Sequence, residues 1–274
     1  MEETKAREDK NSETGTEKNP DQKLKEPKKS KGKQGQKIEL KELEKKQEQK
    51  PEPKEAEQKP QQKSKPGEQD IRILKEKIEA PMRRLTYQYA IDVVLAKLRL
   101  IDAQLSGKSN RPLVRTFSSR IKTTDSIVKK LIRKGREVSY QAAVDTLNDI
   151  AGVRVVCYFF DDIYRIAEQV RRQKDIKILK EKDYAKKPKK SGYQSLHLIV
   201  EVPVVYGDKT QNVRVEIQIR SVAMDYWAEL DTQMCYKKDA GQLEAVEKAT
   251  REYADVIAGV DKKMLELRKK IQKM

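Results

Sequence analysis

The run Val213-Arg-Val-Glu-Ile-Gln-Ile-Arg220 alternates apolar and polar side chains without a break. Successive strand residues point to opposite faces, so Val213, Val215, Ile217 and Ile219 share one side while Arg214, Glu216, Gln218 and Arg220 share the other. Such a strand needs a sheet with one buried face. It offers a carboxylate, an amide and two arginines to whatever lies over the second face, and both an ordinary exposed face and a ligand-binding one fit that pattern. Other strands are expected nearby. Val153 to Phe159 is a β-branched and aromatic run, Ile176 to Leu179 a short strand, and Ser195 to Tyr206 a long one joined to 213–220 by a hairpin at Gly207 and Asp208.

Helical spacing brackets these strands. Ile71, Leu74 and Ile78, then Leu85, Tyr89, Ile91, Val94, Leu95, Leu98 and Ile101 recur at steps of three and four, and Pro81 divides them into two helices. Further helices are expected from Thr123 or Thr124 to Gly135, from Ser139 to Asn148, from Asp162 to Arg172 behind an Asp161 cap, from Ala223 to Tyr236, and from Leu243 to Ile271. Helices, then strands with helices interspersed, then helices again is the order of an α+β layer fold. Residues 69–274 are long enough for one such domain. Residues 1–68 are Lys, Glu, Gln, Pro, Ser and Gly with isolated apolar side chains, which cannot offset chain entropy by burial, so a disordered tail is expected there.

Charge narrows the partners. The 274 residues carry a formal net charge of +17, yet residues 1–70 hold 19 basic and 17 acidic side chains, so nearly all the excess lies on the part able to fold. A basic surface of that size suits nucleotide phosphates, RNA or an anionic membrane. The two cysteines, Cys157 and Cys235, make no disulfide framework, no apolar stretch approaches the roughly twenty residues that span a bilayer, and the N-terminus lacks a secretory apolar region. A cytoplasmic protein without a membrane partner is expected. With His197 its one histidine, the chain has no ligands for a multi-histidine metal hydrolase.

Several segments carry potential chemistry. On a helix beginning near Thr124, Ser126, Lys130 and Arg133 share one face and Ile127, Val128, Leu131 and Ile132 the other, with Arg120 and Lys122 just ahead of the N-terminus, where an anion is favoured. A solvated amphipathic helix would look the same. Asp149 stands where helix gives way to strand, placed either to hold a hard cation such as Mg²⁺ or to cap a turn, and Gly152 suggests a tight or closely approached backbone. Between Asp183 and His197 a lysine cluster, Lys186 to Lys190, leads into Tyr193, a pairing able to grip phosphate beside a ring that stacks on a base. In the helix after Arg220, Ala223, Trp227 and Leu230 are expected to pack inward, with Asp225 and Glu229 facing elsewhere. Gly107-Lys108-Ser109 imitates the end of a phosphate-binding loop, but Asp102 stands where that loop requires glycine.

In order and spacing, LNDIAGVRVVCYFFDDIY, KEKDYAKKPKKSGYQSLHLIVEVP and VEIQIRSVAMDYWAEL resemble the synthetase domain of the RelA/SpoT family, most closely the small alarmone synthetases, over roughly Ala90 to Lys238. The resemblance implies a nucleotidyltransferase-like mixed sheet of about five strands flanked by helices. It implies transfer of pyrophosphate from ATP to the 3′-hydroxyl of GDP or GTP, with Mg²⁺ as cofactor. Arg120 and Arg154 then match the arginines that sandwich adenine, and Lys122, Ser126, Lys130 and Arg133 the groups on the ATP phosphates. Asp149 matches the principal Mg²⁺ ligand, and Glu216 the carboxylate near the acceptor hydroxyl, acting as general base or second metal contact. Tyr193 matches the ring that stacks on guanine, Lys189, His197 and Gln218 line the acceptor side, and Asp225 falls where the guanine edge is read.

Three positions depart from that pattern: Ser119 where glycine is common, Gln194 in place of an arginine, and Asp231-Thr232 in place of a Glu-His pair. The missing arginine bears on the choice between GDP and GTP. A synthetase without a hydrolase domain is expected, the alternative being an RNA-binding regulator on a degenerate synthetase scaffold. The resemblance also implies a homo-oligomer, a tetramer, with (p)ppGpp or single-stranded RNA as possible effectors. Leu243, Val246, Tyr253, Ile257, Leu265 and Leu267 then serve either subunit contacts or core packing.

Overall fold

Pro81 divides the first helical stretch, as a residue without an N–H must. Helix α1 (Glu68–Glu79) ends before it, and α2 (Pro81–Ser109) starts on it, where the missing donor costs nothing. These elements come from a computed structural model that describes residues 67–234 and 240–274. The tail expected over 1–68 therefore lies, but for its last two residues, outside the described residues, as do Cys235 and the side chains of Leu243 and Val246. The chain continues through β1 (Val114–Ile121), α3 (Thr124–Arg133), α4 (Tyr140–Thr146), β2 (Ala151–Cys157), α5 (Phe160–Arg171), β3 (Lys177–Asp183), β4 (Leu196–Tyr206), β5 (Lys209–Ser221), α6 (Val222–Met234) and α7 (Ala240–Ile271).

Five strands form one mixed sheet in the order β1-β2-β5-β4-β3, with β2 and β5 parallel and every other neighbouring pair antiparallel. The hairpin between β4 and β5 turns at Gly207, whose φ of 56° is available to glycine without a Cβ clash. Register then converts alternation into faces. Val155, Ile219 and Leu196 stand side by side across β2, β5 and β4, as do Val153, Ile217 and Leu198, and all six are fully or almost fully buried. Ile91, Val94, Leu98 and Ile101 of α2, with Ile163, Ile166 and Val170 of α5, join them in the same core. Each such side chain contributes about 1.5–3 kcal/mol on removal from water, as an upper bound.

Some local expectations change. Strand β1 has no counterpart among the strands expected from the sequence; it is a sheet edge whose residues are mostly exposed, so no apolar face marks it. Strand β3 runs four residues beyond Leu179, and the extension is charged. Helix α5 starts at Phe160 behind Phe159, and Asp161 is not its cap. Asp161 instead accepts from Arg268 of α7 at 2.6 and 3.2 Å, while the wholly buried Asp162 takes a bidentate grip from Arg111 at 2.7 and 2.8 Å. Ile132 and Leu230, expected inward, are exposed, because the inner faces of their helices are set by Ile127, Val128 and Leu131 and by Met224, Trp227 and Ala228. Gly107-Lys108-Ser109 lies in the last turn of α2, not in a phosphate loop.

Candidate active site

The sheet face opposite the core carries the polar set. One transverse row crosses all five strands as Ser118, Arg154, Gln218, His197 and Lys182; the next passes through Arg120, Gly152 and Glu216. Residues far apart in sequence thus become neighbours by register alone. Arg120 and Arg154, on adjacent strands two places apart, are diagonal neighbours on this face, a spacing of about 7–8 Å between strand positions. Both line a cleft of about 140 Å³ with Ser118, Asp149, Gly152, Glu216 and Gln218.

Gly152 does not mark a tight turn. It lies inside β2, and a Cβ there would meet Arg120 and the Glu216 carbonyl at an ordinary 3.9 Å. What its missing side chain does is leave the cleft floor bare between Arg120 and Glu216.

Asp149 occupies the junction between α4 and β2, and Arg214 of β5 secures that junction by donating to the carbonyls of Val144 and Asp145 and to Asn148 Oδ1 at 3.0–3.3 Å. Thr123 caps α3, accepting from Ser126 N–H and donating to the Ser126 hydroxyl. Lys130 then reaches Asp149 Oδ2 at 2.7 Å, and Lys122 reaches the same oxygen at 3.2 Å. Burial pushes the Asp149 carboxyl up, but the hydrogen bonds and charges of Lys130 and Lys122 outweigh it and hold the group below the usual carboxylate range. Its other oxygen, Oδ1, is buried without a hydrogen-bond partner.

Glu216 is served by two donor chains that begin at Arg220. Arg220 donates to the Tyr193 hydroxyl at 2.8 Å, that hydroxyl lies 2.9 Å from His197 Nε2, and His197 Nδ1 lies 3.3 Å from Glu216. Arg220 also donates to Gln218 Oε1 at 3.0 Å, and Gln218 Nε2 donates to Glu216 at 2.7 Å. Burial pushes the Glu216 carboxyl up, but His197, by hydrogen bond and by charge, and the donor Gln218 outweigh it, keeping the group below its ordinary value although Asp149 opposes them.

Beyond the cleft floor, Lys189 Nζ sits 4.6 Å from the Tyr193 ring centre and 4.8 Å from that of Tyr184. Burial, then Lys182, lowers the Lys189 ammonium; Glu216 pulls the other way, and Lys130 and Arg133 add to the lowering. Asp225 of α6 joins the two ends of the site, accepting from Arg220 at 3.1 Å and pairing with Arg154 at 3.3 Å, while Glu229 lies 3.5 Å from Arg154.

Of the sequence-expected residues, Arg120, Asp149, Arg154, Glu216 and Gln218 line the cleft, and Lys122 and Lys130 reach it through Asp149. Tyr193, His197, Lys189 and Asp225 join through the contacts above, while Ser126 and Arg133 stand on α3, Ser126 bonded to its own cap. Missing from that set were Arg220, the hub of both donor chains, and Tyr184, whose ring packs edge-on against His197 at 5.3 Å. The alternation of 213–220 already put Arg220 on the Glu216 face, a signal for it; Tyr184 had none beyond its place beside the lysine cluster.

Oδ1 of Asp149, buried and unpartnered, beside a second carboxylate suits a hard divalent cation. Among the described residues no cluster of three or more His, Cys, Asp or Glu side chains is placed to hold a metal. An ion on these two would complete its shell from phosphates and water, as Mg²⁺ commonly does.

Residues 119–241 match the region found in RelA / SpoT proteins. Over 187 residues the chain is 36% identical to GTP pyrophosphokinase YwaC of Bacillus subtilis (strain 168), which covers 68% of this chain and 89% of that protein. The fold is similar to the crystal structure of small alarmone synthetase 1 from Bacillus subtilis bound to its product pppGpp, with a TM-score of 0.62 and 30% identity over 69% of this chain and 95% of that one. The same synthetase bound to AMPCPP gives a TM-score of 0.55 at 27% identity, over 69% and 96% of the two chains. Sequence along two thirds of the chain and the topology of the sheet agree, and the chain belongs to the RelA/SpoT family, among its small alarmone synthetases.

Proposed function

We propose that the chain transfers the β,γ-diphosphate of ATP to the 3′-hydroxyl of GDP or GTP, giving AMP and guanosine tetra- or pentaphosphate. The observation that carries this reading is one cleft lined by Asp149, Glu216 and two arginines, with a lysine-aromatic cluster joined to Glu216 through Tyr193 and His197. Relatives bound to pppGpp and to AMPCPP support a guanine nucleotide and an adenine nucleotide as its occupants.

In this reading Arg120 and Arg154 stack on adenine, and Lys122, Ser126, Lys130 and Arg133 take the ATP phosphates. Tyr193 stacks on guanine, with Lys189, His197, Gln218 and Asp225 holding the acceptor. The 3′-oxygen attacks the β-phosphorus, the bond to the bridging oxygen breaks, and AMP leaves with that oxygen. The acceptor proton passes to Glu216, which its donors keep ionised and therefore able to accept it. A magnesium ion held by Asp149, with Glu216 near, would neutralise charge on the phosphoryl oxygens. General-base help accounts for about 10²- to 10⁴-fold, so alignment and electrostatics by the cations carry most of the acceleration.

The test is incubation of purified protein with Mg²⁺, ATP and, in separate reactions, GDP, GTP and GMP, with products resolved by ion exchange. AMP and a guanosine tetra- or pentaphosphate in equal amounts are expected; release of orthophosphate alone, or AMP without a guanosine product, overturns the reading.

A homo-oligomer, a tetramer, belongs to the same proposal. Tyr253, Val256, Val260, Met264 and Leu267 recur along α7 at steps of three and four, and all stand about half to two-thirds exposed, a stripe fit for another copy of the chain. Ile257 instead packs against Trp227 and Ala254, so of the residues expected to serve contacts or core it goes to the core. No helix among the described residues is long and apolar enough to cross a membrane. The nucleotide substrates are those of the cytoplasm, where we place the protein.

A further inference from the structure

Lys189 and Tyr193 stand in a connection, between β3 and β4, that has no regular secondary structure from Lys187 to Ser195. Its own hydrogen bonds close one tight turn, with Lys189 N–H donating to the Tyr193 carbonyl at 3.1 Å and Gly192 N–H to the Lys189 carbonyl at 2.8 Å. Ser195 fixes its far end, accepting from Tyr184 N–H at 3.0 Å and donating to the Ile219 carbonyl at 3.3 Å, and the Tyr193 hydroxyl is held by Arg220; further support comes from α7. Arg251 donates to the carbonyls of Lys189 at 3.0 Å and Lys190 at 3.3 Å, with Asp255 one turn on at 3.6 Å from its Nε. Gly192 lies against the same helix. At its φ of 89° a Cβ would stand 2.5 Å from Ala254 Cβ, a distance that real Cβ atoms do not reach, and 3.2 Å from Arg251 Cδ.

The helix is a firm base for these contacts. Trp227 of α6 donates its indole N–H to the Thr250 carbonyl at 3.0 Å, and Asp261 binds the Ser221 hydroxyl at the end of β5 at 2.5 Å. The Lys189 carbonyl thus takes two donors, Gly192 N–H and Arg251, while its ammonium lies between the rings of Tyr184 and Tyr193. Backbone and side chain of one residue serve opposite purposes. Gln194 also lies on the α7 side, lining a small cleft with Ala223, Met224 and Trp227.

We propose that α7 clamps the acceptor loop: Arg251 and the Gly192–Ala254 contact pin it from behind, making Arg251 a positioning residue for the guanine nucleotide that touches no substrate. This rests on the reading of Lys189 and Tyr193 as acceptor-binding. A loop held before the nucleotide arrives binds it without a further ordering cost, so loosening the pin weakens acceptor binding while leaving the ATP side intact.

The test uses the full chain, with initial rates measured while ATP and GDP are varied independently. In Arg251→Ala the KM for GDP is expected to rise about tenfold, the scale of a lost charge-assisted hydrogen-bond pair, with the KM for ATP and kcat near parental values. Arg251→Lys, able to reach one carbonyl, should recover part of the loss. Gly192→Ala should move the same constant in the same direction. Amide exchange across residues 186–195 should quicken in Arg251→Ala and stay unchanged in the strands. An unchanged KM for GDP, or equal rises for both nucleotides, overturns the clamp. Tyr193→Ala separates the two levels of the proposal. If it raises the KM for GDP while Arg251→Ala does not, the acceptor assignment stands and the clamp is wrong; if neither variant moves it, the acceptor assignment has itself failed.

Discussion

Replacing Lys130 with methionine removes the shorter of the two contacts on Asp149 while keeping a side chain of similar length. At 2.7 Å the gross attraction between the two charges is about 6 kcal/mol for an effective dielectric of 20. Most of that is offset by desolvation, since the side chains are only 24% and 10% exposed, and Lys122 at 3.2 Å still faces the carboxylate. The net cost expected is about 1–2 kcal/mol, below the 3–5 kcal/mol of a fully orphaned buried charge. For a domain of this size that lowers Tm by about 2–8 °C. The pH dependence carries the sign. Asp149 is held below its ordinary range, so its contribution is present above the unfolded-state pKa and is lost as pH falls through the folded one. Without Lys130 the folded value moves up, and stability should fall less steeply with acid than in the parent. Under the proposed function the same change also removes a phosphate contact, so the KM for ATP should rise about tenfold or more while that for GDP holds. Thermal melts from pH 3 to 7, with initial rates, measure both. A variant with parental Tm, parental acid slope and unchanged ATP dependence would refute the coupling of Lys130 to Asp149 and to the nucleotide.

Other outcomes follow from the same geometry. Tyr193→Ala should raise the KM for the acceptor by about five- to a hundredfold, the range of one base-aromatic stack, and Tyr193→Phe should raise it less while breaking the donor chain to His197, so that kcat falls as well. Arg111→Met leaves the buried Asp162 with only Arg165 at 3.3 Å and Arg268 at 3.9 Å, and should destabilise the fold by about 2–4 kcal/mol in urea titrations with no selective effect on either KM.

Where side-chain period coincides with a physical requirement, the sequence is legible. Val213 to Arg220 alternates because one sheet face is buried under α2, and Pro81, Thr123 and Ser139 mark helix starts because each satisfies or omits an orphan N–H there. Strand β1 escapes that logic. It lies at an edge, so Arg115, Thr116, Ser118 and Ser119 need no apolar partners and no period appears. Asp161 has the residue type of a cap but is claimed by Arg268, more than a hundred positions away, which no local rule can anticipate. The site divides in the same way. Ser126, Lys130 and Arg133 share a face by helix geometry, and Arg214 to Arg220 by strand geometry, so each half is readable by itself. That Asp149 and Glu216 meet in one cleft depends on the pairing of Gly152 with Glu216 in parallel strands, and before the fold was in hand it could come only from a family resemblance. Arg220 completes the alternating face, and only the fold gives it 4% exposure and its place as hub of both donor chains.

The most direct measurement compares turnover of the parent with that of Glu216→Gln and Asp149→Asn, each checked for intact folding by circular dichroism, with ATP, GDP and Mg²⁺ all saturating. Transfer of diphosphate to the 3′-hydroxyl by these two carboxylates requires kcat to fall by at least about a hundredfold in both folded variants. Guanosine tetraphosphate formed at near-parental rate by either one would contradict it.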